Sequence, residues 1–412
     1  MANIKPFKCI RPNEEVAHRV AALPYDVYNR MEAKIEVEKE PLSFLKIDRA
    51  ETQLSDDIST YDDQVYKKAK ETLYTMLEDG IFVEESKEYY YIYELIMDGR
   101  SQTGIVATSS IDDYLKDVIK KHENTRKDKE IDRIRHVDTC NAQTGPIFLA
   151  HPRDIELSEI VKKIKSGDKL YSFRAVDGIV HKVWSVKDQE KIDKIRDRFK
   201  KMDKIYIADG HHRTASAVRV GLKRREENPD YTGKEEFNYF LSVLFPEDQL
   251  LIQPYNRVVN NLNGNSKEEF LEKVEKNFDI DEIGSSPFAP EEKGSFGMYL
   301  EKTWYKLKIK KEYINTEDPV DSLDVSILQD YLLDPILNIK DPKTDSNIDF
   351  IGGIRGLEEL ERRVLQDMKV AFSMYPTSIA ELFAVSDAGK LMPPKSTWFE
   401  PKLRSGLFIH RL

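Results

Sequence analysis

The sequence is poor in the residues that mark several protein classes. Its 412 residues include two cysteines, Cys9 and Cys140, which are too few for a disulfide scaffold. The 18 glycines and 18 prolines exclude a collagen-like repeat. No stretch approaches the roughly 18 uncharged apolar residues of a membrane-spanning helix, and the N-terminus lacks the apolar region of a signal peptide. We therefore expect a cytoplasmic protein without a membrane partner.

Positive charge is also in deficit. Lys and Arg number 64 against 74 Asp and Glu, so the net charge is −10. Because an acidic surface repels phosphate backbones, general nucleic-acid binding would need a strong basic patch, and we expect no nucleic-acid partner. Apolar residues make up 40% and charged residues 33% of the chain, which is typical of a globular protein with a substantial core. At about 150 residues per domain, the length predicts two or three domains.

The N-terminal region, residues 1–118, has signals for both helix and strand. Apolar residues at helical spacing predict a helix over Asp62–Asp79, which Gly80 ends. The run Tyr89–Ile96 is typical of a buried strand, and Asp98-Gly99 is typical of the hairpin turn that would follow it.

Strand and helix signals alternate in a middle region, residues 119–263. Apolar runs predict strands over 146–150, 204–207 and 240–245. A helix is predicted over 211–227, directly after the second of these strands. The polar stretch Asn260–Ser266 is typical of a boundary between domains.

The C-terminal region, residues 264–412, continues the mixture. It is predicted to contain a helix over 267–277, a strand-like segment over 297–311 and a helix from about Asp321. The whole pattern predicts an α/β or α+β fold.

The most informative stretch is a strand that leads through Asp209-Gly210 directly into a helix. Gly210 permits a tight turn and the close approach of a ligand. The first N–H groups of the helix, with the positive end of its dipole behind them, suit a phosphate. His211, His212 and Arg213 add donors, and Asp209 adds a carboxylate that could hold Mg²⁺ beside the phosphates. In the alternative interpretation, Asp209 only caps the helix and the imidazoles are solvated.

Two adjacent histidines also suggest a transition-metal site. However, side chains one residue apart on a helix diverge by about 100° and rarely share one ion. The His-Glu-x-x-His pattern of zinc proteases is absent as well. The sequence therefore gives little support to a transition metal.

Two lesser anion sites are suggested nearer the C-terminus. Asn347–Leu357 again predicts a strand, a glycine turn and a helix, with Arg355 able to assist. It lacks the dinucleotide-binding fingerprint, and a structural turn is the favoured interpretation. Lys395 and Lys402 could also reach a phosphate, although they lack the glycine context of a P-loop.

The core Ala208–Arg213 resembles the signature of the family known as domain of unknown function 1015. Further motifs of that family follow in order along nearly the whole chain, namely Pro24-Tyr25-Asp26, His122-Glu123, Asp132-Arg133, Tyr255–Val259, Phe350–Gly353 and Met392–Thr397. The chain is therefore identified as a member of that family.

A more distant resemblance implies a chemistry. The order of His-Glu, Pro-Ile in a strand and Asp-Gly-His-His-Arg is similar to free-serine kinases of the ParB/sulfiredoxin-like superfamily. It implies a ParB/sulfiredoxin-like core with additional N-terminal and C-terminal α/β regions. By the same resemblance, Glu123 would take the proton of the acceptor hydroxyl and Asp209 would lie next to the nucleotide and metal. The longer spacing between Pro146-Ile147 and Asp209 in this chain leaves the identity of the acceptor open.

Single residues separate this chain from two other activities of that superfamily. Sulfiredoxin-like members carry a cysteine where this chain has His211, and without the thiol their sulfinyl-phosphate chemistry cannot run. ParB-like members carry Gly-Glu-Arg-Arg where this chain has Gly210–Arg213, and their DNA-binding role does not suit the net charge of −10.

These observations predict a nucleotide-dependent kinase that acts on a small hydroxyl metabolite, with free L-serine as the favoured acceptor. Mg²⁺ and either ATP or ADP would be required. The alternatives are a non-catalytic nucleotide sensor and a nucleotide hydrolase without an acceptor. The oligomeric state is left open, a homo-oligomer included. The candidate catalytic residues are Glu123, Asp209 and His212, with Asp209 also the metal ligand. The candidate nucleotide-binding residues are Gly210, His211, His212, Arg213 and Thr214. The secondary candidates are His122, Arg133, Asn256, Arg257, Arg355 and Lys395.

Overall fold

The computed structural model describes residues 1–315 and 317–412, which form two compact units. The first unit combines Met1–Leu250 with Pro401–Leu412, and the second is Leu251–Glu400. Both contain strands and helices, so the predicted mixture of α and β structure is confirmed. The finer division into regions 1–118, 119–263 and 264–412 stays a prediction. Across the described residues, every helix is too short or too polar to cross a lipid bilayer.

The strands of the two units are numbered in chain order. They are β1 (Ile4–Lys5), β2 (Cys9–Pro12), β3 (Phe82–Glu84), β4 (Tyr90–Met97), β5 (Arg100–Ser110), β6 (Ile119–Lys120), β7 (Ala142–Gln143), β8 (Ile147–His151), β9 (Tyr171–Arg174), β10 (Val180–Val186), β11 (Ile205–Asp209), β12 (Tyr239–Pro246), β13 (Ile252–Gln253), β14 (Tyr255–Val259), β15 (Phe278–Gly284), β16 (Ser295–Leu300), β17 (Thr303–Ile309), β18 (Ile348–Gly352), β19 (Val370–Met374), β20 (Trp398–Phe399) and β21 (Ile409–Arg411).

The helices are numbered in the same way. They are α1 (Ala17–Val20), α2 (Arg30–Lys39), α3 (Leu45–Asp48), α4 (Asp63–Glu78), α5 (Ile111–Leu115), α6 (Lys127–Cys140), α7 (Ile155–Lys165), α8 (Gln189–Phe199), α9 (His211–Glu227), α10 (Lys267–Glu275), α11 (Asp324–Leu328), α12 (Glu358–Gln366) and α13 (Ile379–Asp387).

A nine-stranded sheet organises the first unit. Its order is β6-β11-β8-β12-β5-β4-β10-β9, and β1 pairs with β5. The β6–β11 and β8–β12 pairs are parallel, whereas the other pairs of this sheet are antiparallel. The sheet therefore joins strands from both sides of the 118/119 boundary suggested by the sequence.

Helices cover the sheet of the first unit through their apolar stripes. Leu157 and Ile164 of α7 and Ile195 of α8 share one buried core with sheet residues such as Ile105 and Ile207. The α9 helix adds Ala217 and Val218 to this core, which anchors the helix beside β11. A second core lies between α2–α4 and a small sheet of order β3-β2-β21-β7. The burial of the apolar side chains of α9 in the first core holds the start of this helix beside β11.

The second unit is built on a six-stranded antiparallel sheet of order β15-β17-β16-β19-β14-β18. Helix α12 packs on this sheet through Leu360, which is fully buried with Trp304 and Ile351. The short strands β13 and β20 pair separately.

Most sequence-predicted elements are present with small shifts at their ends. The predicted helices over 62–79 and 211–227 correspond to α4 and α9, and the Asp98-Gly99 turn joins β4 to β5. The segment predicted as strand-like over 297–311 is a hairpin in the structure, formed by β16 and β17. Its turn, Glu301-Lys302, has positive φ angles of 48° and 66° at two residues that seldom adopt them, so local sequence gave no turn signal.

Candidate functional site

Strand β11 ends at Asp209 and helix α9 begins two residues later. Gly210 joins them with φ of +96°, in the left-handed region that favours glycine. A Cβ at this position would lie 3.1 Å from Nε of Arg213, so the space also favours glycine. Gly210 is the N-cap residue and has no side chain with which to cap the helix. Among the described residues Asp209 bonds Lys402, which differs from the alternative interpretation in which it caps α9. The first N–H groups of a helix have no partner within the helix itself.

Asp209 lies among positive charges. Its Oδ2 atom accepts a hydrogen bond of 3.2 Å from Nζ of Lys402, and about a third of the Asp209 side chain is exposed. Burial opposes ionisation of the Asp209 carboxyl, but the Lys402 ammonium and then the Arg213 guanidinium outweigh it and hold its pKa well below the usual range. Asp209 is therefore a carboxylate throughout the physiological pH range.

His211 is buried against His122, with the two rings nearly perpendicular and their centroids 4.5 Å apart. Nε2 of His211 lies 3.5 Å from the backbone N of His122 and accepts its hydrogen, and Nδ1 lies 3.8 Å from Oε2 of Glu123. Burial lowers the pKa of His122 to about 4, and burial together with the neighbouring imidazoles lowers the pKa of His211 well below its usual value. Both rings are neutral at pH 7.

His212 makes a matching contact with the same segment. Its Nε2 atom accepts a hydrogen bond of 2.9 Å from the backbone N of Arg126. The two adjacent imidazoles therefore diverge from the helix and each accepts a backbone N–H of residues 122–126. We call this stretch, His122–Arg126, the Glu123 segment. The twin histidines hold the Glu123 segment against the start of α9, and His211 has both Glu123 and Asp209 among its charged neighbours.

Arg213 and Thr214 complete the first turn of α9. Nη1 of Arg213 donates a 2.7 Å hydrogen bond to the carbonyl of Pro146, at the start of β8. Thr214 is buried, and its hydroxyl donates to the carbonyl of Gly210 at 3.1 Å, so it braces the turn.

A cavity opens on the other side of Arg213. Its usable space is about 30 Å³, which is enough for one or two water molecules, and it opens to solvent. Its polar lining is Tyr25, Asp48, Arg133, Thr144, Arg213 and Ser405. Tyr25 and Arg133 come from the Pro-Tyr-Asp and Asp-Arg motifs noted in the sequence, so the structure brings three of the motifs to one place. We call this space the Arg213 cavity.

Four secondary candidates lie in the second unit, and their place in a site stays a prediction. Oδ1 of Asn256 accepts from the backbone N of Met374 at 3.0 Å, and the buried Arg257 donates to the carbonyl of Lys395 at 3.1 Å. Nζ of Lys395 lies 5.5 Å from the centre of the Tyr255 ring. Arg355 is exposed, 3.9 Å from Glu359.

Sequence reasoning missed Asp48, Thr144 and Ser405 as site residues. Asp48 Oδ1 accepts a 2.9 Å hydrogen bond from Oγ1 of Thr144, and both are buried beside residues from distant parts of the chain. None of these three residues belongs to a recognisable motif. Only the fold could reveal them.

The fold and this geometry define a mixed α/β protein in which Asp209, His211 and Arg213 lie together at one strand–glycine–helix junction. The chain belongs to the family described as protein of unknown function DUF1015, because the family model matches residues 4–326. The family membership inferred from the sequence is thereby confirmed. No match was found among curated proteins.

Several solved structures are similar at low identity. A free serine kinase variant in complex with AMP is 14% identical, with 74% of this chain and 92% of that chain covered and a TM-score of 0.36. C-terminally truncated SbnI from Staphylococcus aureus is 11% identical, with 74% and 86% covered and a TM-score of 0.38. A conserved hypothetical protein from Pyrococcus furiosus is 14% identical, with 74% and 94% covered and a TM-score of 0.34. Such values are too low to carry an activity from one protein to another.

Proposed function

We propose that this protein is a nucleotide-dependent phosphotransferase that moves a phosphoryl group to the hydroxyl of a small metabolite, with free L-serine the first acceptor to test. The observation that carries the proposal is the junction itself. An uncapped helix N-terminus, the cations Arg213 and Lys402 and the carboxylates of Asp209 and Glu123 gather around His211. Phosphoryl transfer needs this combination, because positioning and charge neutralisation carry most of its rate.

The phosphates of ATP or ADP bind at the start of α9. The N–H groups of the first turn point toward the ligand, and the helix dipole favours its negative charge. Arg213 supplies a guanidinium from within that turn, and Lys402 supplies an ammonium 3.2 Å from Asp209. Both cations are tied to protein partners at modest exposure, which reduces the reorganisation that binding requires.

The donor set at Asp209 fits a magnesium ion that arrives with the nucleotide. Among residues 1–315 and 317–412, no three His, Cys, Asp or Glu side chains form a metal-binding group, which argues against a cage built from the protein alone. Mg²⁺ is usually held by one or two carboxylates together with substrate phosphates. Asp209, ionised and partly exposed, would be that carboxylate. A bound Mg²⁺ would neutralise charge on the phosphates.

Glu123 acts as the general base. The acceptor oxygen attacks the terminal phosphorus, the bond from that phosphorus to its bridging oxygen breaks, and the hydroxyl proton passes to a carboxylate oxygen of Glu123. The nucleotide leaves with one phosphoryl group fewer. Glu123 has 42% of its side chain exposed, so an acceptor can reach it, and the twin histidines hold its segment in place.

The test is a product assay. Purified protein with Mg²⁺ and ATP or ADP is incubated with a panel of hydroxyl metabolites that includes L-serine, and phosphorylated products are followed by ³¹P NMR. A new phosphate ester that disappears in Glu123→Gln and Asp209→Asn supports the proposal. Nucleotide binding without turnover would indicate a sensor, and phosphate release that no acceptor alters would indicate a hydrolase. Either result would overturn the transferase.

A further inference from the structure

Residues of helix α7 and of the neighbouring strands β8, β12 and β5 line another cavity in the first unit, with about 210 Å³ of usable space. We call this space the α7 cavity. Most of its lining is apolar, namely Ile105, Leu157, Val161, Leu244 and Pro246. We propose that the α7 cavity binds a small carboxylic acid with an apolar body of about six carbons, at a site separate from the junction.

The α7 cavity lies at the opposite end of β8 from the junction. Pro146, whose carbonyl accepts from Arg213, immediately precedes β8, whereas His151 is the last residue of β8 and lines the cavity. The extended strand between these two positions spans about 17 Å. A ligand in the α7 cavity is therefore out of reach of a phosphate at the start of α9, and this inference does not rest on the proposed function.

The floor and the roof of the α7 cavity are each formed by one face of an element. Ile105 pairs with Leu244 across β5 and β12, and Pro246 pairs with His151 across β12 and β8, so the floor consists of neighbouring sheet positions. The roof is one stripe of α7, formed by residues 157, 158, 161, 162 and 165. Protein interiors have few voids larger than a water molecule. A space of this size between a helix and its sheet therefore indicates room for a ligand.

The volume of the α7 cavity sets the size of that ligand. An apolar cavity of about 150 Å³ in a protein binds benzene, which has six carbon atoms. The α7 cavity has about 210 Å³ and opens to solvent, so it suits a body of similar size that carries one polar group at the open edge. A whole nucleotide would not fit.

Ammonium groups give the open edge of the α7 cavity a positive charge. Nζ of Lys165 lies 2.6 Å from Oε1 of Glu94, and Nζ of Lys182 lies 3.6 Å from Oε2 of the same carboxylate, so two cations share one buried anion. Lys162 also lines the cavity, is exposed and forms no ion pair within the described part of the chain. This excess of positive charge favours a carboxylate over an amine.

Neutral polar groups complete the lining. Nδ1 of His151 donates to the carbonyl of Pro152 at 2.8 Å, and burial lowers the pKa of His151 to about 4, so its ring adds no charge at pH 7. Oε1 of Gln249 accepts from the backbone N of Thr103 at 2.8 Å. The NH₂ group of Gln249 makes no hydrogen bond among the described residues, so it adds a donor that suits a carboxylate.

The experiment compares three probes with the same six-carbon chain and different head groups, namely hexanoate, 1-hexanol and hexylammonium. Binding to the full chain is measured by isothermal titration calorimetry at pH 7 and low salt, where charge is least screened. We expect hexanoate to bind about tenfold or more tightly than hexylammonium, with 1-hexanol between them. Acetate has the head group without the chain and should bind about tenfold or more weakly than hexanoate. No binding of hexanoate, or an affinity no higher than that of hexylammonium or acetate, would overturn the proposal.

Variants of α7 locate the binding. Lys162→Met removes the charge and should weaken hexanoate binding by about fivefold, which is the upper end for one exposed ion pair. Its affinity for 1-hexanol should change less than twofold. Lys163→Met is the matched control, because Lys163 is exposed on the same helix but lies outside the lining. Unchanged hexanoate affinity in Lys162→Met, or an equal loss in Lys163→Met, would refute the site.

A third variant tests the apolar part of the cavity. Val161→Phe fills the space beneath α7 and should abolish binding of both hexanoate and 1-hexanol, whereas ADP affinity should change less than threefold. If Val161→Phe does not fold, the two lysine variants still decide the question, because both residues are exposed. A folded Val161→Phe that binds hexanoate as tightly as the wild type would place the ligand elsewhere and refute the site.

Discussion

We compare two strand–glycine–helix junctions among the described residues, one in each unit, which differ in what surrounds the glycines. At Gly210 the backbone has φ of +96° and the helix start is uncapped, with Asp209, Arg213 and Lys402 close by. At Gly352-Gly353 a Cβ would lie 2.7 Å from the Trp398 ring or from the Pro254 ring, so packing against protein requires glycine there. The same sequence pattern thus lies among charged groups at Gly210, where we propose a chemical role, whereas close packing against protein requires the glycines at 352 and 353.

The largest expected difference between the two junctions is in kcat, when a carboxylate at each junction is neutralised. Glu123→Gln should lower kcat by about 10²–10⁴-fold, because a general base contributes that much. Glu359→Gln, in the first turn of α12, removes a carboxylate that bonds Arg362 at 2.6 Å and should leave kcat within about twofold. Steady-state kinetics with the best acceptor measures both. A comparable loss in the two variants would remove the distinction between the junctions.

Buried carboxyls also differ between the units. Asp324 accepts from the backbone N of Gly294 at 2.9 Å, but burial dominates and raises the pKa of its carboxyl to about 7. In the unfolded chain this carboxyl ionises near pH 4. Protonated Asp324 therefore stabilises the folded protein at low pH, and this contribution to the free energy of unfolding is lost as the pH rises from about 4 to 7. Relative to Asp324→Asn, the wild-type protein should lose on the order of a few kcal/mol of unfolding free energy over that interval.

Urea unfolding of the wild type and Asp324→Asn at pH 5, 6, 7 and 8 measures this effect. The two stability curves should diverge as the pH rises to 7 and run parallel above it. Curves that stay parallel throughout would show that Asp324 ionises normally in the folded protein, and the contrast with Asp209 would then be lost.

Substituting the glycines tests the two causes directly. Gly210→Ala forces a left-handed residue and crowds Arg213, and Gly352→Ala crowds Trp398, so each should cost about 1–3 kcal/mol of stability. Only Gly210→Ala should also weaken nucleotide binding, by about tenfold or more, since it disturbs the N–H groups of α9. Calorimetric titration with ADP and denaturant unfolding give the two readouts. A loss of ADP affinity in Gly352→Ala would contradict this division.

Local sequence signals identified the first junction because all its parts are contiguous. The apolar run, Asp209-Gly210 and the periodicity of the next helix predicted β11 and α9 with almost correct ends. Contacts between distant residues left no such trace. Lys402 reaches Asp209 from 193 positions away, and Thr144 reaches Asp48 from 96 away. Local periodicity carries no information on such pairs, so the electrostatics of Asp209 and the Arg213 cavity required the fold.

The histidines of the first junction have no counterpart in the second, and their role gives the smallest predicted effect. If His212 acts by accepting from the backbone N of Arg126 at 2.9 Å, His212→Gln should retain kcat within about threefold, because an amide oxygen can accept the same hydrogen. His212→Lys cannot accept and should lower kcat by about fivefold, since one lost hydrogen bond is worth about 1 kcal/mol. A direct phosphate contact through positive charge predicts the reverse order. Measuring kcat, KM and ADP affinity for both variants decides between them, because loosening of the Glu123 segment lowers kcat with little change in nucleotide affinity.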